Sequence, residues 1–407
     1  MSPTVLGRRR RIRGIAGTSN GRHVPSTNMR SGIRGTLAGR IFVLVALVGR
    51  ALALVPGTTR AAPSNSAGSV IDVVTRPPGW RGLQNGRAID YWTQDPQGRP
   101  VPTSGALFVP AGPAPKGGWP VVAYTHGTSG YGPGCGGQSA PDAEPNRYIT
   151  RLVHSGYAVV ATDYVGLGRF DTGVHPYLNT RSESAATIDM LRAARSVEPT
   201  LSNRWAVTGD SQGGQAALAT AHRQRWYGPR TDFRGTVSLD PESDVEKVMP
   251  FLGPYIPAMP TPLNGSYNFL LAILAGLRAA DPAADVNTYL TPKGEALVDQ
   301  VGRTCDGPAV DPGIAFGSLL SRPLGTGPLA PALMKYMAVP VSEYDAPILL
   351  LLNTRDTTVP SPLHAKLAAD FALNRVDYRM VVGNGSHTDM DAAQWAAFDR
   401  FFATHLK

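Results

Sequence analysis

Short continuous apolar runs alternate along most of this chain with segments whose apolar residues recur at helical spacing. Trp119 to Thr125, Tyr157 to Thr162, Trp205 to Thr208, Gly235 to Leu239, Ala346 to Leu352 and Asp377 to Val382 read as strands. Between and after them, Asn146 to Ser155, Ser182 to Val197, the Ala-rich stretch from Gln212, Ser361 to Leu373 and Met390 to Leu406 read as helices. This alternation predicts an α/β fold: a mostly parallel sheet with right-handed crossovers, flanked by helices. Ahead of it, Ala88 to Gln94 and Ser104 to Val109 are joined across a turn-rich Asp95 to Pro100 as an antiparallel pair. From Pro63 to about Gly86 there is little periodicity.

The rhythm breaks once. Residues 241–340 are richer in proline and carry helical pieces such as Asn268 to Ala279 and Lys293 to Val301, which suits an insertion above the sheet. The expected organisation is a leader over 1–62, a core over 63–240, a helical cap over 241–340 and the rest of the core over 341–407. Phe251 to Leu277 is strongly apolar and has two readings: the lining of an acyl pocket that opens at a lipid surface, or a cap helix buried against the core.

Charge changes this picture only at the leader. The chain has a formal net charge of +9, but residues 1–62 hold eleven arginines and no acid, Asp72 being the first acidic residue. Removing those eleven from the 39 basic residues leaves 28 against 30 acidic ones, so nothing in the remainder suggests a surface for nucleic acid. The apolar run Ile41 to Val48, continued by Ala51 to Val55 and interrupted by Arg50, reads as the core of a cleaved export signal, with Met29 as a candidate start. The protein is therefore expected outside the cell. Cys135 and Cys305 suit one disulfide in an exported chain; neither lies in a C-x-x-C pair or near a histidine cluster, so a metal site is not expected.

The candidate chemistry centres on Gly209-Asp210-Ser211-Gln212-Gly213-Gly214, where an apolar strand passes into a helix. A sharp strand-to-helix turn lifts a serine hydroxyl clear of the sheet and brings its flanking residues so close that only glycine fits. The same G-x-S-x-G pattern occurs at Gly17 to Gly21, with no strand before it and no helix after it. A serine needs a base, and the base an orienting acid. Asp356 and His387 follow the last two strands at the carboxyl ends where ligands gather in parallel sheets, giving the chain order Ser, Asp, His. Asp356 could instead cap a helix, and His387 could be an exposed loop residue; Asp389 and Asp391 are reserve acids. For the oxyanion, the backbone N–H of Gln212 is one expected donor, and the second comes from either His126-Gly127-Thr128 or Asp163.

His126-Gly127-Thr128, Asp163 to Gly168, His175-Pro176-Tyr177-Leu178, Arg192 to Arg195, Ser211 to Gly214 and Leu290-Thr291-Pro292, in that succession, resemble the secretory lipases of fungi and actinobacteria from about Pro78 onward. The resemblance implies an α/β-hydrolase fold with an inserted helical cap over an acyl-binding tunnel. It also implies the triad Ser211, Asp356 and His387, an oxyanion site shared by Gln212 and Asp163, and pairing of Cys135 with Cys305. Asp210 departs from the bulkier residue often found there, which leaves the acyl preference open. The expected activity is that of a secreted serine carboxylic-ester hydrolase without metal or organic cofactor, acting on small or lipid esters and needing no protein partner. The alternatives are a serine peptidase of the same fold and a catalytically silent binding protein.

Overall fold

The computed structural model describes residues 65–228, 231–258, 266–311 and 313–407. The expected export signal, its start at Met29 and the second G-x-S-x-G lie outside them, as does Met259 of the apolar cap run. The described residues belong to one compact unit, Ala61–Lys407.

Strands β1 (Val70–Val74), β2 (Gly86–Gln94) and β3 (Pro100–Phe108) run antiparallel and open a nine-stranded sheet. Then β4 (Trp119–Thr125), β5 (Ala158–Thr162), β6 (Leu201–Asp210), β7 (Asp232–Leu239), β8 (Ile348–Asn353) and β9 (Tyr378–Gly383) are parallel to one another. The order is β1-β2-β3-β5-β4-β6-β7-β8-β9, with β3 antiparallel to β5. Strand β1 corrects the reading of residues 63–86 as an entry segment: Val70-Ile-Asp-Val-Val74 is β-branched but lies half exposed at the sheet edge, so it shows no clear alternation.

Alternate side chains of each parallel strand enter different cores. Val121, Ala123, Val160, Trp205 and Val207 pack beneath α2 (Thr180–Val197) and α3 (Gln212–Tyr227), with α1 (Arg147–His154) on the other face over Val122, Tyr124 and Val159. Between β7 and β8 the chain forms α4 (Val245–Val248), α5 (Ser266–Ala280), α6 (Pro292–Val298) and α7 (Leu329–Met337), joined by 3₁₀ turns. These share a separate apolar core with Tyr131, Tyr177 and Leu178. Helix α8 (Ser361–Leu373) packs beside β8 and β9, and α9 (Ala392–His405) joins α1 on its face.

The apolar run Phe251 to Leu277 is partly buried and partly exposed. Tyr267, Leu271, Ile273 and Leu274 on α5 are buried in the core these helices share, whereas Phe251 and Tyr255, with Val248 just ahead of the run, are 73%, 65% and 46% exposed. Among the described residues no helix is long and apolar enough to cross a membrane.

Candidate active site

Strand β6 ends at Asp210 and α3 starts at Gln212, so Ser211 alone makes the turn, at φ 56° and ψ −124°. That φ is strained for a residue with a Cβ and is held by bonds on both sides: the Ser211 N–H donates to Leu239 O (2.9 Å), and Ser211 O accepts from Gln215 N (3.1 Å). The flanking glycines leave no room for substitution. A Cβ on Gly209 would fall 2.2 Å from Thr125 Oγ1, and one on Gly213 would fall 1.9 Å from Thr125 O.

His387 reaches the serine from the loop between β9 and α9. Its Nε2 lies 2.8 Å from Ser211 Oγ, and its Nδ1 lies 2.6 Å from Asp356 Oδ2. With Nδ1–H donating to the carboxylate, Nε2 is left as an acceptor for the serine hydroxyl. Asp356 follows β8 and is held in turn by Thr358 N (2.9 Å) and Val359 N (3.0 Å) on its Oδ1. Burial pulls the His387 pKa down, but the Asp356 hydrogen bond, with the charges of Asp356, Glu242 and Asp240, lifts it above the ordinary histidine value.

Asp163 does different work from what the resemblance implies. Its N–H donates to Ser104 O (2.8 Å), and its carboxylate accepts from Gln138 N (2.6 Å), Ser139 N and Ser104 Oγ (2.7 Å). With its own N–H committed, it offers an oxyanion no backbone donor, and it instead anchors the loop that carries Cys135. Among the described residues the N–H groups of Gln212 and Gly127 remain without partners. Gln212 opens α3, where helix N–H groups have no partner one turn back. Cys135 and Cys305 are joined, S–S 2.04 Å, tying this loop to the segment between β7 and β8. Gly130, at φ +138°, sits against the bridge; a Cβ there would lie 2.6 Å from Cys135 Cβ.

The fold resembles solved structures of ester hydrolases. Candida antarctica lipase A in its closed state aligns with a TM-score of 0.67 at 18% identity, over 84% of each chain. The rice cell wall degrading esterase LipA from Xanthomonas oryzae aligns at 0.63 and 20% identity, over 82% of this chain and 95% of that one. A putative hydrolase from Legionella pneumophila aligns at 0.62 and 20%, over 78% and 88%. At such identities the likeness is one of fold, and it is the α/β-hydrolase fold. No curated protein matches the sequence. The family model for secretory lipases matches residues 144–252, which span β5, α2, the serine turn and the start of the helical segment after β7. The matched residues are less than half of the chain, so the match is a likeness of this part to that family.

Several buried polar groups that the sequence reading did not single out surround the three residues. Asp240, just past β7, accepts from Asn353 N (2.8 Å), Asn353 Nδ2 (2.7 Å) and Thr388 N (2.8 Å), bracing the turns that carry Asp356 and His387. The signal was available, since Asp240 occupies the same strand-end position as the other site residues. His364 on α8 is buried with Nδ1 3.8 Å from Asp240 and Nε2 3.9 Å from Asp356, and neither nitrogen has a hydrogen-bond partner. Among the described residues, Asp240, Asp356 and His364 are the only set whose ligand atoms cluster within 4.8 Å. Their carboxylate oxygens already accept N–H groups, which is the chemistry of a hydrogen-bonded acid rather than of a metal cage.

Proposed function

We propose that this chain is a secretory lipase, an exported serine hydrolase that cleaves carboxylic esters through an acyl-enzyme. The observation that carries the reading is the placement of His387 within hydrogen-bond distance of both Ser211 Oγ and Asp356. Ser211 Oγ attacks the ester carbonyl while His387 Nε2 takes its proton, and Asp356 fixes the imidazole tautomer and stabilises its positive form. The tetrahedral oxyanion is held by the Gln212 N–H, with Gly127 N–H as second donor. His387 then protonates the leaving alcohol, and the acyl-enzyme is released when water repeats the sequence in reverse roles.

The family, the fold and its ester-hydrolase neighbours support an ester as substrate. Within this proposal the helices between β7 and β8 form the cap domain, and the exposed Val248, Phe251 and Tyr255 form its lipid-facing rim. The test is hydrolysis of p-nitrophenyl acetate, butyrate, octanoate and palmitate beside Ser211→Ala. Loss of the nucleophile should lower kcat on the order of 10⁴-fold or more. Equal rates in the two proteins would refute the mechanism and leave a binding protein built on a hydrolase fold.

A further inference from the structure

Gln212 is wholly buried, and the amide nitrogen of its side chain is held on two sides. Its Nε2 donates to Glu183 Oε1 (2.8 Å) and lies 3.0 Å from His175 Nε2. His175 Nδ1 lies 2.7 Å from Val165 O, a carbonyl that can only accept, so Nδ1 carries the proton and Nε2 accepts from Gln212. Both amide hydrogens of Gln212 are thus used. Glu183 Oε1 also accepts Leu178 N (3.0 Å), which joins α2, the loop before it and the first residue of α3 at one carboxyl oxygen.

The same network reaches the other side of the site. The Tyr164 hydroxyl donates to His126 O (3.1 Å), and its ring lies between those of His126 and His175, with centroids at 4.4 and 6.1 Å. His126 immediately precedes Gly127. Elements carrying both oxyanion donors therefore lean on one interior cluster.

This cluster is costly. Glu183, His175 and Gln212 are each no more than 1% exposed, no Lys or Arg pairs with the carboxyl group, and Glu183 Oε2 and Gln212 Oε1 have no partner at all. Packing alone would be better served by apolar side chains of the same size. From these contacts we infer that Glu183 and His175 are positioning residues, which clamp the Gln212 side chain so that its backbone N–H stays aimed at the oxyanion formed on the Ser211 adduct. The inference rests on the serine-hydrolase reading of the site. A sub-ångström drift of one donor weakens the transition state while leaving the ground-state ester almost unaffected.

The test compares wild type with Glu183→Leu, Gln212→Met, His175→Leu and Glu183→Gln. Gln212→Met removes both side-chain bonds yet keeps the backbone N–H and nearly the same volume, so it carries the test if Glu183→Leu does not fold. Active sites are titrated with a fluorophosphonate. Then kcat and KM for p-nitrophenyl butyrate, and the inhibition constant of an alkyl trifluoromethyl ketone, are measured per titrated site. The ketone's adduct places an oxyanion where the intermediate does.

The apolar variants should lose roughly 10- to 100-fold in kcat and in ketone affinity together, with KM little changed. Glu183→Gln should recover most of both, because its amide oxygen accepts the same two bonds. The inference is overturned if titrated variants match wild type in kcat and ketone affinity. It is equally overturned if Glu183→Gln is as impaired as Glu183→Leu, or if KM alone changes. A wild type that does not label at Ser211 would instead overturn the serine-hydrolase reading beneath it.

Discussion

Glu242 is buried near His387, and its charge adds to that of Asp356 in favouring the imidazolium. Burial pushes Glu242 itself up to about 7. A base must be neutral to accept a proton, so activity should rise with pH through the His387 pKa, which lies above the ordinary value of about 6.5. Glu242→Gln removes a negative charge that helps hold the proton on His387. Its acid limb in kcat/KM should therefore move to lower pH; an unchanged or higher limb would count against this electrostatic account. Ser211, Asp356 and His387 were legible in the sequence because each follows a recognisable apolar strand, and strand ends of a parallel sheet converge. Glu183, His175, Glu242 and His364 were not legible in that way. Glu183 lies inside an amphipathic helix whose periodicity gives a carboxylate no special standing, and only its approach to Gln212 makes it noteworthy.

The serine turn and the cap are elements of opposite character. Helix α3 begins directly after Ser211, and the thin flank formed by Gly213, Gly214, Ala216 and Ala217 lets it lie close to the sheet. The cap run was harder to read, because helical spacing of apolar residues looks alike whether a helix faces a core or a substrate. Helix α5 turns its apolar residues into the core that the helices between β7 and β8 share, while Phe251 and Tyr255, ahead of it in the chain, are exposed. If that rim meets lipid, Phe251→Asp with Tyr255→Asp should lower the rate on emulsified triacylglycerol several-fold and leave soluble p-nitrophenyl butyrate nearly untouched. A parallel loss on both substrates would show that the rim supports the fold instead. Strand β1 escaped notice for a related reason: at an edge, half its side chains face water and the alternation that marks a strand fades.

Across the whole molecule, the sheet order and the structural neighbours agree on an α/β-hydrolase fold, in which Cys135–Cys305 ties the loop after β4 to the segment between β7 and β8, the proposed cap. A bridge closing so long a loop restricts the unfolded chain, and its removal commonly costs about 2–5 kcal/mol. Cys135→Ser with Cys305→Ser should accordingly lower the midpoint of guanidinium unfolding, and an unaltered midpoint would mean that the cap holds its place without the bond. The bond also has a place in the order of the chain. Its partners are separated by 170 residues, and both Asp356 and His387 lie beyond the second of them. A chain made N-terminus first therefore presents both cysteines and Ser211 before the proposed acid and base exist, and on the proposed mechanism it stays inert until its last stretch arrives.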